Sequence, residues 1–166
     1  DVMEVTYALG VEMLMMANLA KTKEEALAKC KKAVSSGAAL KKFLENVEVQ
    51  GGNADQLLSQ IGKRRSEYKI NLTASQDGYI SINAYKTGMA GISLGVGRNK
   101  TTDPVCGDAG MILHAHTGDM VRKGDLIMEI FGKDKDCLEP AKRLLEEAVS
   151  YSEKQPEKNP LIFKKI

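Results

Sequence analysis

The chain has 166 residues and a mass of 18.1 kDa, enough to bury about 68–70% of its unfolded surface without help from a disulfide or a metal. Its 43% hydrophobic and 28% charged residues are those of a folded protein rather than a disordered one. Lys and Arg number 24 against 22 Asp and Glu, a net charge of +2 that gives no whole-chain reason to expect nucleic acid or an anionic membrane as partner. No apolar run approaches the roughly 18 residues of a membrane helix, and no secretory signal is visible. Cys30, Cys106 and Cys137 form no CxxC pair, which predicts reduced thiols and a cytoplasmic protein. Asp1 leads straight into a helical pattern, as expected of a piece of a longer polypeptide.

The first third predicts helices. Val5, Leu9, Met13 and Met16, flanked by Val2, Ala8 and Ala17, recur at three and four and predict one buried face of an amphipathic helix from Val2 to Ala20, with the methionines as core fillers. Gly10 within it permits close helix packing. Thr22-Lys23-Glu24-Glu25 is a capping box, in which the Thr22 hydroxyl accepts from the Glu25 amide and Glu25 reaches back to the Thr22 amide. The helix it starts carries Ala26, Leu27, Cys30 and Val34 and stops near Gly37. Leu40, Phe43, Leu44 and Val47 predict another, broken by Gly51-Gly52. Lys29, Lys31, Lys32, Lys41 and Lys42 form a solvated basic exterior with no aromatics interleaved to stack bases.

From Tyr68 the period becomes two: Tyr68, Ile70 and Leu72 alternate with polar residues, Asp77-Gly78 is a turn, and Tyr79 to Ile82 resumes the alternation. A short Gly-rich helix over 86–97, strands at 111–113 and 126–131, and a closing helix over 136–149 follow. Pro156 and Pro160 mark a tail. The fold class is therefore α+β, a helical segment over 1–61 feeding an α+β lobe over 67–152, with a tail over 153–166.

Catalytic raw material is sparse. His114 and His116 are i, i+2 and would share one side of a strand, where Cys106, Asp108 or Asp119 could complete a zinc site; the following Thr117-Gly118 favours a solvent-facing pair beside a turn. Gly95-Val96-Gly97-Arg98 offers amides and a guanidinium to an anion, but a helix C-cap followed by an exposed Arg accounts for it better. The most specific local pattern is Gly118-Asp119-Met120-Val121-Arg122-Lys123-Gly124-Asp125. It is similar to the hairpins of biotinyl- and lipoyl-carrier domains. Their modified-lysine tripeptides are absent, and Lys86 falls at a helix start. The pattern predicts a barrel-sandwich shape without a swinging arm.

Taken together, Leu9-Gly10-Val11-Glu12-Met13-Leu14, Ser36-Gly37-Ala38-Ala39-Leu40-Lys41-Lys42-Phe43, Gln50-Gly51-Gly52-Asn53, Gly95-Val96-Gly97-Arg98 with Asp103, Gly110-Met111-Ile112-Leu113-His114, the 118–124 pattern and Pro160-Leu161-Ile162 resemble the C-terminal portion of the thymidine phosphorylase and pyrimidine-nucleoside phosphorylase family, over residues 1–164. The resemblance implies a pentosyltransferase that cleaves a pyrimidine nucleoside with inorganic phosphate in a cleft between an α domain and an α/β domain. It implies a barrel-sandwich or hammerhead-like lobe at the end of the α/β domain, and a homodimer for the full-length protein. The family's Lys-His-Ser-Thr-Gly-Gly phosphate loop, its Thr-Gly-Gly-Thr-x-Asp signature and its pyrimidine-gripping residues do not occur in this sequence. No catalytic, cofactor-binding or metal residue is therefore assigned, and no cofactor is expected. The expected partners are the N-terminal part of the same enzyme and, through it, phosphate and a pyrimidine nucleoside; neither nucleic acid nor membrane is expected. The piece alone is expected to be structural and inactive, the alternative being a stand-alone barrel-sandwich binding module without a carrier lysine.

Overall fold

The computed structural model describes residues 2–157 and 160–162. The expected start at Asp1 and the tail positions 158, 159 and 163–166 lie outside the described residues. The described residues divide into two compact units, 2–62 with 160–162, and 63–157.

The first unit is helical: α1 (Val2–Met16), α2 (Lys23–Ser35), α3 (Ala38–Val49) and α4 (Ala54–Gln60). Among the described residues its buried ones are few, Val11, Ala20 and Ala26, with Leu14, Met15 and Leu27 packed against them. Gly10 brings α1 close to α2, for a Cβ there would lie 3.0 Å from the Cys30 sulfur. The stripe expected to be buried on α1 is corrected by this packing: Leu9, Met13 and Met16 face outward, and Val11, Leu14 and Met15 face α2. The physical reason is that α1 carries apolar residues on more than one face, so helical period alone does not select the buried one. Leu40 and Phe43 of α3 are likewise exposed. The short α4, capped by the Asn53 side chain on the Gln56 amide at 2.7 Å, is an element the apolar period does not reveal.

At the start of α2 the Thr22 hydroxyl accepts from the Glu25 amide at 3.2 Å, as expected. The return bond differs by one residue: Glu25 accepts from the Lys21 amide at 2.9 Å rather than from Thr22, and pairs with Lys29 at 2.8 Å. The Lys29 bond and then the Lys21 amide hold the Glu25 carboxyl below its ordinary range. Because the folded value is depressed, the contribution of Glu25 to folding is complete above the ordinary glutamate value of about 4.3 and disappears as pH falls through the lowered one. An NMR titration should find the Glu25 carboxyl titrating below that ordinary value, and Lys29→Ala should move it upward.

The second unit is α+β: β1 (Lys69–Thr73), β2 (Gly78–Ile82), α5 (Ala84–Leu94), β3 (Gly110–Leu113), β4 (Met120–Val121), β5 (Leu126–Phe131), α6 (Leu138–Ala148) and β6 (Val149–Ser152). The strands form two antiparallel three-stranded sheets, in the orders β1-β5-β3 and β4-β2-β6. The α+β class is thus observed, as two small open sheets with no closed barrel among the described residues. β4 and β6 are short pairings that sequence period misses, and β6 begins at Val149, where the closing helix was expected to end. Register sets Ile70 and Met111 on either side of Ile130, and Leu72 and Leu113 on either side of Met128. Ile80 of the other sheet, Ala90 and Leu94 of α5, and Ala141 and Leu145 of α6 join Ile127, Met128 and Ile130 in one apolar core. α6 meets it with Leu138, Ala141, Leu145 and Ala148, a repeat of three, four and three that lays one stripe on the sheets. Among the described residues no helix is long and apolar enough to cross a membrane.

Candidate functional site

The 118–125 pattern explains itself as scaffold. Gly118 and Gly124 take φ of +96° and +94°, conformations that favour glycine. Each neighbouring aspartate closes its own turn: Asp119 accepts from the His116 amide at 2.7 Å and Asp125 from the Arg122 amide at 2.8 Å. The Lys123 amide donates to Asp77 at 2.7 Å, and Ala74 exchanges 2.8 Å backbone bonds with Gly124 and Asp125. Val121, between the two turns, is buried in the core. The two aspartates of the pattern thus close its turns, and backbone groups of Lys123, Gly124 and Asp125 hold the second turn to Ala74 and Asp77.

The loop after α5 is also tied. Gly95, at φ +99°, caps the helix, with its amide on Ile92 and the Val96 amide on Gly91. Asp103 accepts from the Asn99 and Lys100 amides at 3.1 and 2.9 Å, and Arg98 is exposed. Lys86 lies in the first turn of α5, with its ammonium 3.2 Å from the Glu147 carbonyl and 3.5 Å from the Glu147 carboxylate, so it braces α5 against α6.

His114 and His116 lie beyond the end of β3 and are both exposed, the solvent-facing pair beside a turn that the following Thr117-Gly118 favours, and they do not share a strand. β3 ends at Leu113, and the His114 and Ala115 amides both turn to the Ile127 carbonyl. His114 Nε2 lies 2.8 Å from Glu129, whereas His116 Nδ1 lies 3.6 Å from Asp119. Asp108 pairs with Arg64, and the Cys106 amide donates to the Gly95 carbonyl. The residues that could have completed a zinc site are therefore distributed over separate contacts. Among the described residues no three of His, Cys, Asp and Glu gather to hold a metal.

Glu129, the only charged residue of β5, is the polar feature that sequence reasoning missed; its place within Leu-Ile-Met-Glu-Ile-Phe was the available signal. With Arg65, Ser66, Glu67, Lys69 and Phe131 it lines a shallow depression of about 500 Å³. The Arg65 guanidinium lies 5.8 Å from the centre of the Phe131 ring. Two cations, Arg65 and Lys69, and two carboxylates, Glu67 and Glu129, balance there. A second depression, of about 470 Å³, is lined among the described residues by Lys42, Phe43, Glu45, Asn46 and Val49 of α3.

These contacts describe an α+β unit in which Asp103, Asp119 and Asp125 close turns and Lys86 braces α5 against α6. Residues 79–152 match the family described as the pyrimidine nucleoside phosphorylase C-terminal domain. The chain is also similar to proteins named pyrimidine-nucleoside phosphorylase from Staphylococcus aureus, in strains USA300 and bovine RF122. Each is 32% identical over 145 residues, which cover 87% of this chain and 34% of the relative. The chain is thus akin to the C-terminal portion of the pyrimidine-nucleoside phosphorylase family, and it spans about a third of the length of the curated relatives it matches.

Proposed function

We propose that this chain works as the C-terminal portion of a pyrimidine-nucleoside phosphorylase. In the reaction that the resemblance implies, the bond from the sugar anomeric carbon to the base nitrogen breaks and a phosphate oxygen bonds to that carbon. The bonding pair leaves with the base, which takes up a proton. The chain's part is that of a rigid lobe, without catalytic side chains of its own, in an enzyme whose remaining polypeptide supplies the phosphate and nucleoside sites and the dimer contacts. The observation that carries this reading is the 145-residue similarity to proteins of that name. The turn-closing and helix-bracing duties of Asp119, Asp125 and Lys86 support it.

The test is phosphate-dependent release of uracil from uridine and thymine from thymidine. The 166-residue chain alone should give none, and the longer protein encoded by its gene should turn over. In that longer protein, Arg98→Ala and His114→Ala should each change kcat/KM by less than about threefold. A loss of about a hundredfold, the scale of a removed transition-state contact, would show that the lobe takes part in the chemistry.

A further inference from the structure

On the phosphorylase reading, the helical unit has an exposed surface that its own residues do not account for. α1 has two charged residues, Glu4 and Glu12, in its 15. Its Val11–Leu14–Met15 side packs on α2. Leu9, Met13 and Met16, at i, i+4 and i+7, form a second apolar stripe that is 62%, 69% and 82% exposed. A helix apolar on more than one face is normally covered on each of them. The exposed lysines of α2 and α3 show what a solvated surface of this unit looks like. Among the described residues the unit's own core is small, with two of its three buried residues alanine.

We propose that the Leu9–Met13–Met16 stripe of α1 is a docking surface, covered in the working enzyme by an apolar layer of the polypeptide that makes up the other two-thirds of the relatives' length. Two observations select this occupant over a second copy of the chain. The curated relatives contain that additional polypeptide, the chain matching only 34% of their length. Three large side chains also fall far short of the roughly 20–30 residues a side of a standard dimer. A layer in the same polypeptide is held at high effective concentration and needs no such area.

The test is oxidation by hydrogen peroxide, which converts an accessible methionine thioether to its sulfoxide and itself to water. Sulfoxide at each methionine is followed by mass spectrometry in the 166-residue chain and in the longer protein, with N-acetylmethionine as the open reference and buried Met128 as the closed one. In the chain alone, Met13 and Met16 should oxidise near the rate of the reference at every protein concentration. In the longer protein both should slow by at least about tenfold, toward Met128. Unchanged rates in the longer protein would overturn the docking surface, and phosphorolysis measured on the same sample would show whether the phosphorylase reading survives. Protection in the chain alone that grows with its concentration would assign the stripe to a second copy instead. An absence of any longer encoded protein would overturn both readings. Met13→Glu in the longer protein should lower its melting temperature, while the same change in the chain alone should leave it unaltered.

Discussion

Leu145→Ala should destabilise the α+β unit by about 2–5 kcal/mol. Leu145 has no exposed surface and belongs to the single core that holds both sheets, α5 and α6. Truncation removes its transfer free energy and leaves a cavity that neighbours as rigid as Ile80, Ile127 and Ile130 fill only in part. For a unit of this size the melting temperature should fall by at least about 10 °C, read by calorimetry or circular dichroism. A change under about 1 kcal/mol would mean that α6 does not seat on the sheets as described.

Gly132→Ala should be comparably damaging for a different reason. The turn between β5 and α6 brings chain so close to Gly132 that an added Cβ would lie 2.5 Å from the Cys137 sulfur, 2.9 Å from the Asp134 carbonyl oxygen and 2.9 Å from a Leu138 methyl. Side chains can yield, but the carbonyl can move only with its backbone. The same turn is fixed by the Cys137 amide donating to the Asp134 carboxylate at 2.9 Å, the first cause of that carboxyl's lowered pKa. A loss of about 1–3 kcal/mol is expected by chemical denaturation, in the range of overpacked sites. Adding Cys137→Ala should restore part of the loss by removing the sulfur contact and leaving the carbonyl one. Full restoration would contradict the backbone part of the argument.

The elements whose apolar residues occupy one face were legible in the sequence. α6 shows its stripe of Leu138, Ala141, Leu145 and Ala148, and β1 shows its alternation, because one face is buried and the other wet; β2, which begins at Gly78, sets buried Gly78 and Ile80 among half-buried residues. α1 misled for the converse reason: with apolar side chains on several faces, its period fits several burials, and tertiary packing on α2 chose among them. β4 and β6 are two and four residues long, too short for period to register. The capping box was legible in its forward bond and displaced by one residue in its return bond, since a glutamate reaches either of two adjacent amides. The 118–125 pattern was legible as turns, while its bonds to Asp77, 46 residues from Lys123, and to Ala74, more distant still, depend on the fold. The histidines were legible as an exposed pair beside a turn, because Thr117-Gly118 follows them at once and β3 ends at Leu113. Glu129 became visible as a partner of His114 only once β3 and β5 were paired.

The proposal that this chain is the rear portion of a phosphorylase is tested most directly by reading the coding DNA upstream of the Asp1 codon. The expected result is an open frame continuing for roughly two-thirds of the relatives' length, in proportion to the 34% of each that this chain matches, and carrying the phosphate-loop and Thr-Gly-Gly-Thr-x-Asp signatures absent from these 166 residues. A start codon immediately before Asp1 would contradict it and make this chain a domain that works alone.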